Sequence, residues 1–194
     1  MKIAQKVTIQ NQINRLINLG FPKLLNVTDQ EYLNSFSIVG EPSFDEYKNL
    51  FDIPVIVDPR IPFEKLISTV GIDNYLNISD IKHFSTDMFR PYIFYTHDSK
   101  RYASHTAATA IHEFEPDEEG CTLQELIFFY LHFPHLFEGI AMDAILTDFR
   151  QADYHPCLLK VTEKTEIGAH WHHDLTAGIN ILSKGKRLFM FNLA

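Results

Sequence analysis

The N-terminal third of the chain combines the spacing of short amphipathic helices with one compact apolar run. Apolar side chains recur every three to four residues in "VTIQNQINRLINLGF", which predicts a helix over roughly 5–19 that ends at Gly20. The residues on its apolar face are Ile9, Ile13, Leu16 and Ile17. By contrast, "IPVIVD" at 53–58 is short and rich in β-branched residues, so it predicts a buried strand.

Three stretches place a hydroxyl residue three positions before a glutamate, the pattern of a capping box at the start of a helix. These stretches begin at Thr28, Ser43 and Thr122. The helix after Thr122 is strongly apolar, and we expect it to end near Pro134 because the residue before a proline avoids the helical conformation. Its expected buried stripe consists of Leu123, Ile127, Tyr130 and Leu131.

The middle of the chain alternates helical and extended patterns. "PFEKLISTVG" predicts a helix with Pro62 in its first turn and Gly71 as its end, and "RPYIFYTHD" predicts a second strand. The alanine-rich "SHTAATAIHEF" predicts a further helix. The order strand, helix, strand favours a parallel or mixed pairing of the first two strands.

After residue 140 the pattern becomes that of strands separated by turns. The strand-length runs are "AMDAILTDFR", "PCLLKVTE", "AHWHHD", "AGINILS" and "RLFMFNL", and "SKGKR" is the clearest turn. The predicted fold class is therefore α+β, with N-terminal and central helices and a mostly antiparallel C-terminal sheet. We expect one globular domain over 1–194, with a weak boundary near 72–90.

Composition narrows the classes of partner. The chain has 194 residues, of which 45% are hydrophobic and 22% charged, as in globular domains. The 17 basic residues against 25 acidic ones give a net charge of -8, which disfavours nucleic acid and anionic membranes as partners. The one basic cluster, Lys184, Lys186 and Arg187, is interpreted as a solvated hairpin tip.

The cysteines and the N-terminus favour a cytoplasmic location. Two cysteines without a CxxC spacing predict neither a disulfide framework nor a cysteine zinc site. The N-terminal residues lack the apolar core of a secretory signal peptide. Secretion by a specialised route stays open.

The candidate chemistry lies mainly in "GAHWHHDLTAG". On a strand, side chains alternate between faces, so His170, His172 and Asp174 share one face while Trp171 and His173 share the other. Two imidazoles and a carboxylate are the ligand set of mononuclear iron centres, and imidazole also binds zinc. The sequence thus suggests a metal site with iron or zinc as the cofactor. The alternative is a polar strand edge without a ligand.

The same residues resemble, in "HHDLTAGINILSKGKRLFMF", the first half of the iron and 2-oxoglutarate oxygenase motif of JmjC and cupin-like enzymes. The resemblance implies that His172 and Asp174 form the HxD pair. That family takes its third ligand from a distal histidine downstream, whereas the 20 residues after Asp174 contain none. An oxygenase activity is therefore disfavoured.

A thiol site is the other enzymatic interpretation. Cys157 lies close to His155 in "DYHPCLLKV" and could approach "HWHHD" across a hairpin. Because a thiolate needs a nearby base, an acyl-transfer enzyme would require Cys157 within hydrogen-bond reach of His155, His170 or His172. The alternative is a buried, inert cysteine.

A wider resemblance covers most of residues 10 to 187. An uncharacterised bacterial family, known as a domain of unknown function, is similar to this chain in five segments. They are "INRLINLGFPKLLNVTDQEYLNSF", "IPVIVD", "GCTLQELIFFYLHFPHLF", "AMDAILTDFRQADYHPCLLKV" and "IGAHWHHDLTAGINILSKGKR". The resemblance implies a small cytoplasmic domain and no established activity or cofactor. This chain has more histidine in "AHWHHDLTAG" than that family, so a ligand set there need not be a family property.

The leading hypothesis from sequence is a bacterial domain that binds a small molecule or a protein through its C-terminal sheet. A basic protein partner would suit the negative net charge. A metal-dependent enzyme and a thiol-dependent acyl-transfer enzyme are the alternatives, so the sequence leaves it open whether the protein is an enzyme.

Overall fold

The computed structural model describes residues 9–38, 50–84, 89–150, 153–161, 163–173, 179–186 and 189–192. Its helices are α1 (Ile9–Asn18), α2 (Phe21–Leu24), α3 (Asp29–Asn34), α4 (Phe63–Val70), α5 (Ala107–His112) and α6 (Leu123–His132). Its strands are β1 (Ser37–Ile38), β2 (Ile53–Val57), β3 (Ile72–Asn74), β4 (Ile81–Lys82), β5 (Tyr92–Thr96), β6 (Glu118–Gly120), β7 (Ala141–Asp143), β8 (Asp148–Phe149), β9 (Tyr154–Val161), β10 (Lys164–Trp171), β11 (Ile179–Ile181), β12 (Ser183–Gly185) and β13 (Phe189–Asn192). Short 3₁₀ turns occur at Ile78–Asp80 and Pro134–Phe137.

The strands form two larger sheets and one two-stranded ladder. In the first sheet the order is β1-β13-β5-β12-β6, and β2 pairs with β5. In the second sheet the order is β11-β7-β9-β10-β3, with antiparallel pairs in the middle and parallel pairs at both edges. Strands β4 and β8 pair separately. The predicted α+β class is confirmed.

The predicted first helix is confirmed over Ile9–Asn18, whereas 5–8 lie outside the described residues. A buried polar residue ties this helix to the first sheet. Gly20 follows α1 with φ 83°, a left-handed conformation that glycine adopts without steric cost. Gln12 is fully buried on α1. Its amide donates to the carbonyl of Pro54 (2.6 Å) and accepts from the backbone N–H of Ile56 (2.9 Å). Both bonds fix α1 against β2.

Two of the three predicted capping boxes are confirmed. The Thr28 box opens α3 and the Thr122 box opens α6, while the one at Ser43 lies outside the described residues. Helix α6 ends before Pro134, as expected, but nine of its ten residues are buried, so it is enclosed on all sides. Only Tyr130 of α6 is half-buried, and its hydroxyl accepts a hydrogen bond from Thr165 (2.7 Å).

The predicted pairing of the first two strands is wrong. Strands β2 and β5 are antiparallel, with Ile53 opposite Thr96 and Val57 opposite Tyr92. The prediction assumed that one helix alone connects them. In the structure the connection also contributes β3 to the second sheet, where it pairs with β10, and β4 to the separate ladder. The chain therefore returns to the first sheet in the opposite direction.

The expected solvated tip around Lys184 is also wrong. Lys184 lies within β12 and is fully buried. Its Nζ contacts the carboxylates of Glu125 and Glu119, the second at 3.3 Å, and lies 5.7 Å from the centre of the Phe94 ring. These contacts compensate the loss of hydration, because a buried charge requires a partner. Arg187 lies outside the described residues.

The two faces of the second sheet differ in character. Met142, Leu158 and Ile167 lie on the face that belongs to the main hydrophobic core, which extends from Ile13 to Phe191. Because side chains alternate along a strand, the neighbours of these residues point to the opposite face. That face carries the ionisable side chains described below. None of the helices in the described part of the chain is long and apolar enough to cross a lipid bilayer.

Gly120 gives a direct test of how closely β6 packs against the turn after β7. A Cβ atom at this position would lie 2.2 Å from Cγ1 of Ile145, which is itself buried. We expect Gly120→Ala to lower the free energy of unfolding by about 1–3 kcal/mol in urea denaturation. Adding Ile145→Ala, which removes the atoms in conflict, should make the penalty of Gly120→Ala smaller in that background. Equal penalties in both backgrounds would contradict this packing.

Candidate catalytic site

Three neighbouring strands of the second sheet bring a cysteine, a histidine and an aspartate together. Cys157 on β9 lies opposite Asp143 on β7 and opposite Gly168 on β10. One step along the same face, His155 lies opposite His170. Since residues opposite one another share a face, all five positions are on the same side of the sheet, away from the main core.

Strand β9 keeps its place between β7 and β10 although it contains a proline. The carbonyl of Pro156 accepts a hydrogen bond from the backbone N–H of Ala144 (2.9 Å). In an antiparallel ladder the N–H and C=O of one residue point to the same neighbour, so the missing N–H of Pro156 lies toward β7. The proline therefore costs no hydrogen bond between β9 and β10. On the other side, β7 already ends at Asp143, one residue before the position that Pro156 faces.

His170 joins the other two side chains. Its Nδ1 lies 2.8 Å from Oδ1 of Asp143, and its Nε2 lies 3.6 Å from Sγ of Cys157. A carboxylate only accepts, so Nδ1–H is the donor to Asp143 and Nε2 is the nitrogen that faces the thiol. A nucleophile, a base and a carboxylate that orients the base occur in this order in nucleophilic enzymes of several folds.

The exposed fraction of the three residues increases from Cys157 through Asp143 to His170. Cys157 is 2% exposed, the Asp143 side chain is 5% exposed and the His170 side chain is 22% exposed. The imidazole of His170 therefore lies between the thiol and solvent on its side of the site. A carboxylate as buried as that of Asp143 requires a hydrogen-bond donor, and His170 supplies it.

The charge state of His170 follows from the same contacts. Burial lowers the pKa of His170, but the hydrogen bonds to Asp143 and Cys157 outweigh burial and raise its pKa to about 10. His170 is therefore an imidazolium near neutral pH. A neighbouring imidazolium stabilises the thiolate form of a cysteine, which is the nucleophilic form.

The raised pKa of His170 makes a testable contribution to stability. An unfolded histidine has a pKa of about 6.5, so the folded protein binds more protons between that value and about 10. The stabilisation is fully present below pH 6.5 and is lost as the pH rises through 10. We expect wild-type protein to lose more unfolding free energy than Asp143→Asn over this range, measured by urea denaturation. Parallel pH profiles would contradict this assignment.

His155 and His172 form a separate pair beside this cluster. His155 Nδ1 lies 3.1 Å from the carbonyl of Thr147, so it donates there, and His155 Nε2 is hydrogen-bonded to Nδ1 of His172 (2.8 Å). Burial lowers the pKa of His172, and His155 and His173 lower it further. Both ring nitrogens of His155 thus have partners other than Cys157, so His155 supports the site without being its base.

The predicted metal ligands are distributed differently. His170 binds Asp143, His172 binds His155, and Asp174 lies outside the described residues. Strand β10 ends at Trp171, so His172 and His173 belong to the following turn, and His173 stacks edge-on against Trp171. The expected ligand set of His170, His172 and Asp174 therefore stays a prediction.

Another set of potential ligands does meet in the described part of the chain. One ligand atom each from Asp143, Cys157 and His170 lies within 4.8 Å of the others. Ligands on a tetrahedral zinc ion are about 3.3 Å apart or more, given metal–ligand bonds of about 2.0–2.3 Å. The 2.8 Å between Asp143 and His170 is instead a hydrogen-bond distance. Since Nδ1 is bonded to Asp143, a metal here would use Nε2 of His170 and Sγ of Cys157, and a carboxylate oxygen of Asp143 is the third candidate ligand.

In a second buried group of serine, histidine and glutamate, the hydrogen bonds run in a direction that does not suit catalysis. His97 Nδ1 accepts from the backbone N–H of Ser99 (3.0 Å), so Nε2 carries the proton and donates to Oγ of Ser183 (2.8 Å). Ser183 in turn donates to Glu118. Burial lowers the pKa of His97 to about 4, and His97 already directs a proton toward the serine. It therefore cannot act as the base for Ser183, and this network is structural.

Asp143 is the member of the cluster that sequence reasoning missed. "AMDAILTDFR" was interpreted as one strand, whereas the structure divides it into β7 and β8. A single carboxylate within the apolar "AMDAIL" was the available signal, because a charged residue in a buried strand needs a partner. Its partner is 27 residues away, so the signal could not identify it.

Helix α5 covers the face next to the cluster. The backbone N–H of Ala108 donates to the carbonyl of His172 (3.2 Å), which joins the start of α5 to the turn after β10. A small apolar cluster lies beside it and consists of Tyr102, Ala107, Ala110, Ile145 and Ile181. Ile181 is opposite Asp143, so this cluster adjoins the carboxylate.

Comparisons of the chain with protein-family models, with curated proteins and with solved structures found no match.

Proposed function

We propose that the protein is a thiol-dependent enzyme of the acyl-transfer class, with Cys157 as nucleophile, His170 as proton carrier and Asp143 as the residue that orients His170. The observation that supports this proposal is the position of His170, which binds the carboxylate through Nδ1 and faces the thiol through Nε2. The acyl-transfer alternative was expected to place Cys157 within reach of a histidine, and His170 meets that condition.

The proposed reaction has two steps. The Cys157 thiolate attacks the carbonyl carbon of an ester, thioester or amide, and the leaving group takes the proton that His170 holds on Nε2. This step forms an acyl–thioester on Cys157. In the second step His170 removes a proton from water or another acceptor, which attacks the thioester and releases the acid or the new acyl product. Cys157 leaves as the thiolate when the thioester bond breaks, and His170 keeps the proton that it took from the acceptor, which restores the starting pair.

The role of Asp143 in this proposal is to hold one tautomer and one ring orientation. Its hydrogen bond fixes the proton on Nδ1, so Nε2 is the atom that exchanges protons at the thiol. The same bond stabilises the imidazolium, in agreement with the raised pKa of His170. The Asp143 side chain is only 5% exposed, so its carboxylate would destabilise the fold without a hydrogen-bond donor. The bond to His170 therefore also stabilises the assembled site.

The experiment is acyl trapping with p-nitrophenyl acetate. We expect intact mass spectrometry to show one acetyl group per chain and peptide mapping to place it on Cys157. Cys121→Ala is the matched control because Cys121 is also fully buried, and burial raises the pKa of its thiol well above the usual range. Labelling should persist in Cys121→Ala and be lost in Cys157→Ala.

Removing metal ions separates this proposal from its alternatives. Acetylation of Cys157 should be unchanged after treatment with a chelator and dialysis, because no metal takes part in the proposed steps. Loss of acetylation on chelation, with recovery on adding zinc or iron, would instead favour a metal-dependent enzyme. Acetylation that is equal in Cys157→Ala and wild type would leave a binding module as the better interpretation.

A further inference from the structure

Gly168 lies directly beside the proposed nucleophile. It faces Cys157 across the β9–β10 ladder, on the same side of the sheet. A Cβ atom built on Gly168 would lie 3.6 Å from Sγ of Cys157. Apart from the two chain neighbours, no other heavy atom of the described residues comes within 4 Å of that position. The position of a Cβ atom is therefore open within 4 Å except for the sulfur that it borders.

Side chains occupy other directions toward the sulfur. Asp143 lies opposite Cys157 on the β7 side, and the ring of His170 covers the thiol with Nε2 at 3.6 Å. Along β9 the next residue on this face is His155, whose ring is fixed by Thr147 and His172. The main core lies behind the sheet. The space above Gly168 is therefore the side from which a reagent can reach Sγ.

We infer that the acyl group of the substrate lies over Gly168 and that this residue determines which acyl groups the site accepts. This inference rests on the proposed function and deepens it. Since Cys157 is 2% exposed and the gap corresponds to one missing side chain, the substrates are esters, thioesters or amides of small, unbranched acyl groups. Gly168 acts as a specificity-determining residue because the absence of its side chain leaves room beside Sγ.

The test compares Gly168→Ala and Gly168→Val with wild type, using p-nitrophenyl acetate and p-nitrophenyl butyrate. Gly168→Val should slow acylation of Cys157 by about tenfold or more for acetate and by a larger factor for butyrate, since single methyl groups change such rates by about 10–200-fold. Ala169→Val is the matched control, because residue 169 points to the other face of β10. It should leave the ratio of the two rates unchanged.

Gly168→Ala keeps the inference testable if the valine variant does not fold. Its new methyl group would be in ordinary van der Waals contact with Sγ, so the chain should fold and discriminate more strongly against butyrate than wild type does. The pKa of His170, followed by NMR, should stay as in wild type. An unchanged ratio of the acetate and butyrate rates in Gly168→Ala would overturn the inference.

Alkylation with iodoacetamide distinguishes the inference from the proposed function. This reagent measures access to Sγ without any acyl chemistry, and its rate should fall in Gly168→Val but not in Ala169→Val. Slower alkylation without acylation in wild type would overturn the proposed function, and the specificity inference with it. Normal acylation of Cys157 with rates that do not depend on residue 168 would overturn the inference alone.

Discussion

Replacement of Lys184 by methionine is expected to lower the free energy of unfolding by about 3–5 kcal/mol, because it leaves a buried carboxylate without its cation. Lys184 and Glu125 are both fully buried and in direct contact. Glu125 also accepts from the hydroxyl of Tyr92 (3.0 Å) and closes the capping box with Thr122. Because its oxygens cannot reach solvent, urea denaturation should show the full loss.

The double variant Lys184→Met with Glu125→Gln should recover most of that loss. Glutamine keeps an acceptor for the capping box and removes the uncompensated charge. Glu115→Gln is a suitable control, since this carboxylate is largely exposed and 3.6 Å from Arg101. A double variant no more stable than Lys184→Met alone would show that the ion pair is not the cause.

Asp143→Asn is expected to slow acylation of Cys157 by about 10²–10⁴-fold, with the thiol still in place. The asparagine amide can donate to Nδ1 of His170, which would place the ring proton on Nε2 instead. That tautomer cannot accept a proton at the thiol. The pKa of His170 should also fall from about 10 toward its usual value, because the carboxylate that raises it is gone.

The control for this prediction is an aspartate outside the cluster. Asp153 is exposed, and its backbone carbonyl accepts from the N–H of His172 (2.7 Å), a bond that a side-chain change leaves intact. Asp153→Asn should acylate at the wild-type rate when p-nitrophenol release is followed. If Asp143→Asn also kept the wild-type rate, Asp143 would have a structural role only.

The elements that could be predicted from sequence are those fixed by local chemistry. The capping boxes at Thr28 and Thr122 and the end signals at Gly20 and Gly71 satisfy backbone groups within one helical turn, so the helices follow from nearby residues. The orientation of β2 relative to β5 depends instead on which sheet the intervening strands join. That information is distributed over more than 30 residues of chain.

The burial of Lys184 shows the same limit for charged residues. Gly185 and two nearby basic residues are typical of a solvated turn. The carboxylate that makes burial favourable belongs to Glu125, which is 59 residues away in the sequence. A lysine in a turn-like context therefore cannot be distinguished from a buried one until its partner is known.

The candidate site was predicted in parts but not as a whole. The thiol hypothesis named Cys157 with His155, His170 or His172 as its base, and the metal hypothesis grouped His170 with His172 and Asp174, but neither hypothesis included Asp143. The alternation that grouped His170 with His172 holds only while the strand continues, and β10 ends at Trp171. The register of β7, β9 and β10 brings Asp143, Cys157 and His170 together, and register depends on contacts that are distant in sequence.

In the proposed mechanism His170 activates Cys157, and the rate of alkylation by iodoacetamide at neutral pH measures this activation without an acyl substrate. The measurement uses Cys121→Ala protein, so that Cys157 is the only thiol, with and without His170→Gln. We expect His170→Gln to slow alkylation by about 100-fold, within the range for loss of a proton-transfer partner. Equal rates in the two proteins would contradict it, because the thiol would then react independently of His170.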